Sequence, residues 1–202
     1  MKCFHFGVLK KTYRKHDGGR FLAIIKVAVL GDSEVGKTSF TERWTKGTFP
    51  DPALLKTTVG VSFDTIRTEL SNGESVTLSV WDFGGQKRFI ETLKQMVDGA
   101  KAGVLFFDAS YLPSLDSVYN YWVPLIQDHG GWDFSGGDGW RFILVGNKID
   151  LLGDDFSKVE EEMNAFCDKY DTGHALISAK TGVGMEQLDM KFRDVIERVL
   201  ES

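Results

Sequence analysis

Residues 31–38 read GDSEVGKT, and this octet constrains the fold more than any other feature of the sequence. It fits the pattern G-x-x-x-x-G-K-[ST], follows an apolar run at residues 23–30 and opens an amphipathic segment at residues 37–46. Glycines in such a loop let main-chain N–H groups point inward at the start of a helix, where they bind phosphate. The octet therefore predicts a strand, a phosphate-binding loop and a helix in direct succession.

Short apolar runs alternate with longer amphipathic segments through the rest of the chain. The predicted strands are residues 23–30, 61–70, 75–82, 103–109, 141–146 and 174–178, and the predicted helices are residues 37–46, 86–97, 115–127, 157–169 and 185–200. The SNGE turn at residues 71–74 predicts a hairpin between the second and third strands. Near-continuous apolar strands indicate a sheet covered on both faces, so the predicted class is α/β.

The composition limits the chain to one globular domain. Its 202 residues are 42% hydrophobic and 26% charged, which excludes disordered and collagen-like classes. The sequence has no apolar run of 18 residues, so no membrane-spanning helix is expected. The two cysteines, Cys3 and Cys167, are too few for a disulfide framework or a thiolate metal site. The basic N-terminus lacks the apolar core of a signal peptide, so a cytoplasmic protein is expected.

The octet carries the strongest indication of function, a nucleotide-phosphate site with Mg²⁺. A lysine at position 37 would supply charge to the β- and γ-phosphates, and the Thr38 hydroxyl would be a ligand of Mg²⁺. The alternative is an ordinary glycine-containing turn between a strand and a helix. The candidate phosphate-site residues are Asp32, Ser33, Glu34, Val35, Gly36, Lys37, Thr38 and Ser39.

A second candidate element, DFGGQ at residues 82–86, ends the third predicted strand. Asp82 could hold Mg²⁺ through water opposite the threonine of the octet. Gly85 would let a main-chain N–H approach a γ-phosphate, and Gln86 could orient an attacking water. By itself this run is more often a turn at a strand end, and its significance comes from lying 45 residues after Lys37.

Two further elements predict a base site. Residues 147–150 read NKID, and there Asp150 could accept two hydrogen bonds from guanine, while the aliphatic part of Lys148 could lie over the base. The alternative is a capped turn before a helix. The weaker element is Ser178, Ala179 and Lys180 after the last strand. All four elements, Asn147 included, follow carboxyl ends of predicted strands, which is where open α/β sheets bind ligands.

With these residues in place, the chain resembles the small GTPases of the Ras superfamily over about residues 24–200. The resemblance implies a six-stranded, mostly parallel sheet flanked by five helices and a GTP/GDP switch. It implies that Mg²⁺ is held by Thr38 and, with GTP bound, by Thr58, although Thr57 is a possible alternative. It also implies that Phe49 packs on guanine, and that Gln86, Lys37 and Thr58 are the catalytic residues.

The phosphate loop and the TVG run at residues 58–60 look most like the Rab branch. The WDFGGQ run at residues 81–86 is instead similar to the W-D-x-G-G-Q of Arf proteins and of the septum-promoting GTPases. The C-terminal LES lacks the prenylated cysteines usual in Rab, Rho and Ras proteins, and Lys2 stands where Arf-type myristoylation needs glycine. No lipid anchor is therefore predicted.

The charge is divided unevenly along the chain. Residues 1–22 hold six of the 24 lysines and arginines but only one of the 29 acidic residues, so this arm is +5 and the remainder −10. We expect residues 1–22 to be a basic extension and residues 23–202 to be the GTPase domain. The extension is either a solvated, partly disordered leader or an electrostatic contact with a membrane or an acidic partner.

Three functions remain open at this point. The first is a monomeric switch that hydrolyses GTP slowly and binds activating proteins, exchange factors and effectors through residues 49–63 and 82–96, but not nucleic acid. The second is a nucleotide-bound scaffold that does not hydrolyse GTP. The third is an ATP-dependent kinase, which would need a different base site and an arginine-rich lid; neither is found in the sequence.

Overall fold

The computed structural model describes residues 14–16, 20–51, 60–84, 97–134, 136–153 and 155–202. Within them, eight strands are formed: β1 (Arg14–His16), β2 (Arg20–Leu22), β3 (Ile24–Gly31), β4 (Val61–Glu69), β5 (Ser75–Phe83), β6 (Ala102–Asp108), β7 (Phe142–Asn147) and β8 (Gly173–Leu176). The predicted strands agree with β3–β8 to within one or two residues at most ends. The antiparallel pairing of β1 with β2 was not predicted, because such short strands carry no clear pattern.

Strands β3–β8 form one sheet in the order β4-β5-β3-β6-β7-β8. All neighbouring strands are parallel except β4, which pairs antiparallel with β5 through the predicted hairpin. The six-stranded, mostly parallel sheet is therefore confirmed. After β3 the chain builds one side of the sheet through β5, and it then crosses to the other side to form β6. The carboxyl end of β3 is consequently a topological switch point, where ligands bind in folds of this kind.

The helices are α1 (Lys37–Lys46), α2 (Pro113–Ser117), α3 (Val123–Gly130), α4 (Ser157–Tyr170) and α5 (Met185–Glu201). A π-helical turn, Val118–Trp122, joins α2 to α3, so one continuous helix replaces the predicted helix at residues 115–127. The predicted helix at residues 86–97 lies outside the described residues except for Val97, which is helical. No helix in the described part of the chain has the length and apolarity needed to cross a bilayer.

Two apolar layers hold the sheet between the helices. One face packs a cluster that contains Trp122, Phe142 and Phe166, and the other packs a cluster that contains Phe40 and Phe192. The amphipathic pattern of α5 puts Phe192 and its neighbours on the sheet, as its 3.6-residue period predicted. Because strands in the middle of the sheet are apolar on both faces, the polar groups that matter for function are concentrated at strand ends.

Residues 130–139 read GGWDFSGGDG, and this glycine-rich composition predicts a flexible connection, whereas the structure packs the segment against the core. Trp132 and Phe134 are buried in it and pack against Phe142, with ring centroids 4.4 and 5.0 Å away. A side chain at Gly139 would place its Cβ 1.5 Å from the carbonyl oxygen of Tyr170, so only glycine fits there. The aromatic residues thus fix the described part of this segment to the core.

Candidate functional site

The phosphate loop connects β3 to α1 at the switch point of the sheet. It contains backbone conformations that suit a tight loop, with φ of +68° at Glu34 and +93° at Gly36. A Cβ at Gly36 would lie 2.3 Å from Nδ2 of Asn147, so glycine is required both for the conformation and for the space. The main-chain N–H of Phe40 then donates to the Gly36 carbonyl, which begins the helix. The octet therefore has the strand–loop–helix setting expected of it.

Lys37 is the first residue of α1 and is only 4% exposed. Its ammonium group donates a 2.6 Å hydrogen bond to the main-chain carbonyl of Asp32, which curves the side chain back over the loop. Burial lowers the pKa of Lys37 to about 8, although the nearby carboxylates of Asp82 and Asp32 oppose this shift. A buried lysine that is short of compensating charge is a strong binding group for a polyanion.

The next residue, Thr38, faces the end of the second parallel strand. Its hydroxyl donates a 2.5 Å hydrogen bond to Oδ2 of Asp82, the last polar side chain of β5. Oδ1 of Asp82 is buried and, within the part of the chain that the structure describes, accepts no hydrogen bond of good geometry. Burial raises the pKa of Asp82, against the opposing effects of the Thr38 hydroxyl, the Lys37 charge and the Ser62 hydroxyl. The Thr38 hydroxyl and the Asp82 carboxylate, whose Oδ1 is buried, are a donor set that fits Mg²⁺ with its water ligands.

Asn147, at the end of β7, connects the phosphate loop to the last loop of the site. Its Nδ2 donates to the carbonyl of Val35 at 2.9 Å, and its Oδ1 accepts from the N–H of Ala179 at 3.0 Å. The side chain is 1% exposed, so both ends of the amide are satisfied by protein. Asn147 therefore holds two loops in register.

The following residues present side chains beside this link. Lys148 adopts a left-handed conformation with φ of +68°, and its ammonium forms a 2.7 Å ion pair with Oδ2 of Asp108 at the end of β6. Oδ1 of Asp108 in turn accepts hydrogen bonds from Ser110. Asp108 thus orients the lysine, a role that the sequence pattern did not indicate.

Asp150 receives its orientation from the loop after β8. The hydroxyl of Ser178 donates to Oδ1 of Asp150 at 2.6 Å, and the Lys180 ammonium lies 3.9 Å from its Oδ2. Ser178 also accepts from the N–H of Thr181, which closes a small turn. The NKID element and the weaker element at residues 178–180 therefore support each other directly.

Arg43 is a second residue of the candidate site that the sequence did not indicate. From α1 it donates through Nε to the carbonyl of Ala179 and through Nη2 to the carbonyl of Lys180, the latter at 2.8 Å. Its guanidinium also lies 5.9 Å from the ring centroid of Phe49. Arg43 therefore fixes the position of the loop that orients Asp150. A basic residue on an amphipathic helix is usually solvated, so the sequence gives no signal of this contact.

The structure brings most of the predicted site residues to one edge of the sheet. The phosphate loop, Asp82, residues 147–150 and residues 178–180 are joined through the contacts given above. Three predicted residues, Thr58, Gly85 and Gln86, lie outside the described residues, and so does the alternative Thr57. Their roles stay predictions from the sequence.

Comparison with known proteins gives a consistent result. A family model described as the Ras family matches residues 26–201. The Ras-related protein RAB1BV of Beta vulgaris is 31% identical over 180 residues, which cover 89% of this chain and 79% of that protein. Rab7 of Pisum sativum is 31% identical over 182 residues, covering 89% of this chain and 84% of that protein. Rab-5B of Plasmodium falciparum is 31% identical over 176 residues, or 87% and 77% of the two chains.

Proposed function

The chain belongs to the Ras family of small GTPases, on its Rab branch, and from this premise we propose how its own residues bind and hydrolyse GTP. Members of the family bind GTP and GDP, hydrolyse GTP and act as switches in signalling or membrane traffic. The proposal assigns the phosphates to residues 32–39, the base to residues 147–150 and 178–180, and the hydrolytic water to Gln86. It covers a monomeric GTPase domain at residues 23–202, preceded by a basic extension at residues 1–22.

The observation that carries the proposal is the pair of hydrogen bonds made by the side-chain amide of Asn147. It links the main chain of the phosphate loop at Val35 with the main chain of the base loop at Ala179. A nucleoside triphosphate needs its base and its phosphates recognised at a fixed separation. Because one buried side chain sets that separation, both halves of the site are preorganised before the nucleotide binds.

Guanine specificity is assigned to Asp150. Its carboxylate is oriented by the Ser178 hydroxyl, so two acceptor oxygens are available for the N1–H and the 2-amino group of guanine. Adenine offers no such pair of donors. Lys148, now paired with Asp108, would lay its aliphatic part along the base, and Phe49 would cover the other side.

The guanine assignment is tested with Asp150→Asn. The amide can donate to the 2-oxo group of xanthine, so the preference should move from GDP to XDP, measured by competition against a fluorescent nucleotide. Nucleotide that copurifies with the unmodified chain, identified by HPLC, should be GDP or GTP. Equal affinity of the unmodified chain for ATP and GTP, or an unchanged preference in Asp150→Asn, would contradict the assignment.

The phosphate end combines a buried cation with the donor set for Mg²⁺. Lys37 would neutralise the β- and γ-phosphates, and Mg²⁺, when bound, would supply positive charge between those phosphates. Thr38 and Asp82 are the described residues that would hold it, with Thr58 added in the GTP state. Hydrolysis of this kind needs positioning and charge neutralisation more than covalent chemistry from the protein.

Gln86 is proposed to orient the water that attacks the γ-phosphate, with a main-chain N–H of Gly85 beside the same phosphate. The sequence offers no obvious internal arginine finger. Ser33 and Glu34 occupy the tip of the phosphate loop, and Arg88 follows Gln86 by two residues. Intrinsic hydrolysis should therefore be slow, and an arginine supplied by a partner should add about 10³–10⁵ in rate. Gln86→Leu should retain GTP in a single-turnover assay. Hydrolysis at the same rate in the variant and in the unmodified chain would show that Gln86 does not have this role. If the unmodified chain binds GTP but does not hydrolyse it, the scaffold function is favoured.

Partner binding is proposed for residues 49–63 and 82–96, where contacts would change with the γ-phosphate. Phe63 on β4 is 56% exposed, and its ring packs edge-on against Trp81 at 4.4 Å. A rigidly held, exposed aromatic residue at the end of the first segment, packed on the residue that precedes the second, is a suitable anchor for regulators and effectors. Phe63→Ala should lower effector affinity and leave GDP affinity unchanged.

The basic extension is proposed as a weak electrostatic membrane contact, with a solvated leader as the alternative. Five net positive charges at roughly 1 kcal/mol each would give salt-sensitive binding to anionic lipid. Sedimentation with phosphatidylserine vesicles should show binding that deletion of residues 1–22 removes. Equal binding by both proteins would favour the leader.

A further inference from the structure

The carboxylate of Asp32, in the phosphate loop, is tied to the helix that follows β6. Its Oδ1 accepts two hydrogen bonds, one from the Ser117 hydroxyl at 2.9 Å and one from Nε1–H of Trp122 at 2.9 Å. Trp122 is fully buried in the core. A hydrogen bond to an ionised acceptor is among the stronger polar contacts in a protein. The hydrogen bonds of the Asp32 side chain therefore connect the phosphate loop to the core.

The spacing of the two donors is unusual for a helix. Residues five apart in an α-helix, with 3.6 residues per turn, point about 140° away from each other. Here the N–H of Val123 donates to the carbonyl of Val118, which is the i→i+5 bond of a π turn. The wider turn rotates Trp122 toward the face of Ser117. Both donors can then reach the same oxygen of Asp32.

Pro124 explains why the helix widens at this point. Proline has no N–H to donate to the carbonyl of residue 120, and its ring pushes that carbonyl away. It stands directly after Val123 in the first turn of α3. The π turn therefore lies one turn before the proline, where the regular α-helical bonds are interrupted. The sequence thus contains a local reason for the geometry that serves Asp32.

Asp32 also contacts the lysine of the site. Its main-chain carbonyl accepts the 2.6 Å hydrogen bond from Nζ of Lys37, while its side chain is held by the helix. Displacing the carboxylate would move this carbonyl and release the ammonium group from its present position. A mechanical connection therefore runs from the π turn through Asp32 to Lys37.

We propose that Ser117 and Trp122 are positioning residues for the phosphate loop, and that their hydrogen bonds to Asp32 slow the release of GDP. The inference rests on the proposed function, because it presumes that residues 32–39 bind the nucleotide phosphates. It goes further by assigning a role in nucleotide retention to a π turn about 85–90 residues away in the sequence. Both residues act through Asp32, and neither needs to touch the nucleotide.

The test compares two tryptophan substitutions in the full chain. Trp122→Phe keeps an aromatic ring in the core but removes the N–H that donates to Asp32. Trp132→Phe is the matched control, because Trp132 is also buried in the same apolar layer but packs against Phe142 instead. Dissociation of fluorescent GDP in Mg²⁺ should be about three- to tenfold faster in Trp122→Phe. In Trp132→Phe it should stay close to that of the unmodified chain, at a comparable loss of thermal stability.

Two further substitutions separate positioning from packing. Ser117→Ala should also speed GDP release, and Ser117→Thr, which keeps a hydroxyl, should restore slow release. In an Asp32→Ala background, adding Trp122→Phe should have no further effect, since the shared acceptor is gone. An equal effect of Trp122→Phe in both backgrounds, or equal dissociation from the Trp122→Phe and Trp132→Phe proteins, would overturn the inference.

Failure of the proposed function and failure of the positioning role give different results. If the unmodified chain does not bind GDP, the proposed function is wrong and the inference falls with it. If the unmodified chain binds GDP and the substitutions at Ser117 and Trp122 leave its release unchanged, only the inference is wrong. The indole N–H signal of Trp122 in NMR spectra, which should move in Asp32→Asn but not in Ser33→Ala, reports the hydrogen bond itself.

Discussion

The side-chain nitrogen of Asn147 lies 2.9 Å from the carbonyl oxygen of Val35 and bridges the 112 residues between a strand end and the phosphate loop. The oxygen of the same amide accepts a 3.0 Å hydrogen bond from the main-chain N–H of Ala179. Hydrogen bonds of this kind serve buried main-chain groups that have no strand or helix partner. The asparagine therefore holds the two loops of the candidate site together.

Asn147→Ala should destabilise the nucleotide-free protein by about 2–4 kcal/mol, because it leaves two buried main-chain groups without partners. Urea unfolding followed by circular dichroism measures the loss. Asn164→Ala, on the exposed face of α4, is the control and should change the free energy of unfolding by less than about 0.5 kcal/mol. Similar stability of the two variants would show that the Asn147 bridge contributes little.

The lowered pKa of Lys37 predicts a pH dependence of stability. Its pKa is about 8 in the folded protein against 10.5 for an ordinary lysine, so between these values the unfolded chain binds more protons. The free energy of unfolding of the nucleotide-free protein should therefore gain a contribution as pH rises through this window, at most about 3 kcal/mol.

The measurement compares urea unfolding of the unmodified chain and of Lys37→Met at pH 7.5 and pH 10. From pH 7.5 to pH 10, the free energy of unfolding of the unmodified chain should rise relative to that of Lys37→Met. Lys26, whose pKa is also lowered by burial, is present in both proteins, so its contribution cancels. If the free energies of unfolding of the two proteins change with pH in parallel, the pKa of Lys37 is not lowered in the folded protein. Bound GDP with Mg²⁺ should abolish the effect, because phosphate keeps the ammonium protonated.

The arrangement of Asp82 and Thr38 predicts how GDP release responds to Mg²⁺. In the unmodified chain, chelation with EDTA should speed release. Asp82→Asn should need about 10–100-fold more Mg²⁺ to slow release by half, since it removes the charge that orients the metal's water ligands. Asp168→Asn, an exposed substitution on α4, should leave the Mg²⁺ dependence unchanged. An unaltered midpoint in Asp82→Asn would mean that Mg²⁺ is held elsewhere.

The fold could be predicted from the sequence because its signals are local. Apolar runs such as residues 141–146 became buried strands, and the 3.6-residue period of α5 placed Phe192 in the core. The glycine-rich segment was predicted wrongly because flexibility was read from its glycines. Burial of Trp132 and Phe134 there depends on Phe142, which faces them only in the folded chain.

The sequence predicted the residues of the candidate site one by one, but it did not predict the contacts between those that the structure describes. Sequence patterns indicated the phosphate loop and Asp150 because their chemistry depends on residue type at a fixed spacing. Arg43 and Trp122 contact the site through main-chain carbonyls or a distant carboxylate, and such contacts leave no spacing rule in the sequence. The π turn that aligns Ser117 with Trp122 also breaks the period by which helical faces are assigned.

The contact of Arg43 with the base loop predicts a change in base discrimination. Arg43→Lys keeps the charge but cannot make both hydrogen bonds to the carbonyls of Ala179 and Lys180. The loop should then orient Ser178, and with it Asp150, less firmly. GDP should dissociate about three- to tenfold faster, as expected for loss of one charged hydrogen bond.

Inosine diphosphate gives this prediction a specific readout, because inosine lacks the 2-amino group that Asp150 would accept from guanine. The ratio of GDP affinity to inosine diphosphate affinity should fall in Arg43→Lys, measured by competition against fluorescent GDP. Lys46→Ala is the control: Lys46 is exposed at the end of the same helix and makes a 3.8 Å surface ion pair with Asp64. A GDP preference in Arg43→Lys as strong as in Lys46→Ala would show that Arg43 stabilises the loop without setting the geometry at Asp150.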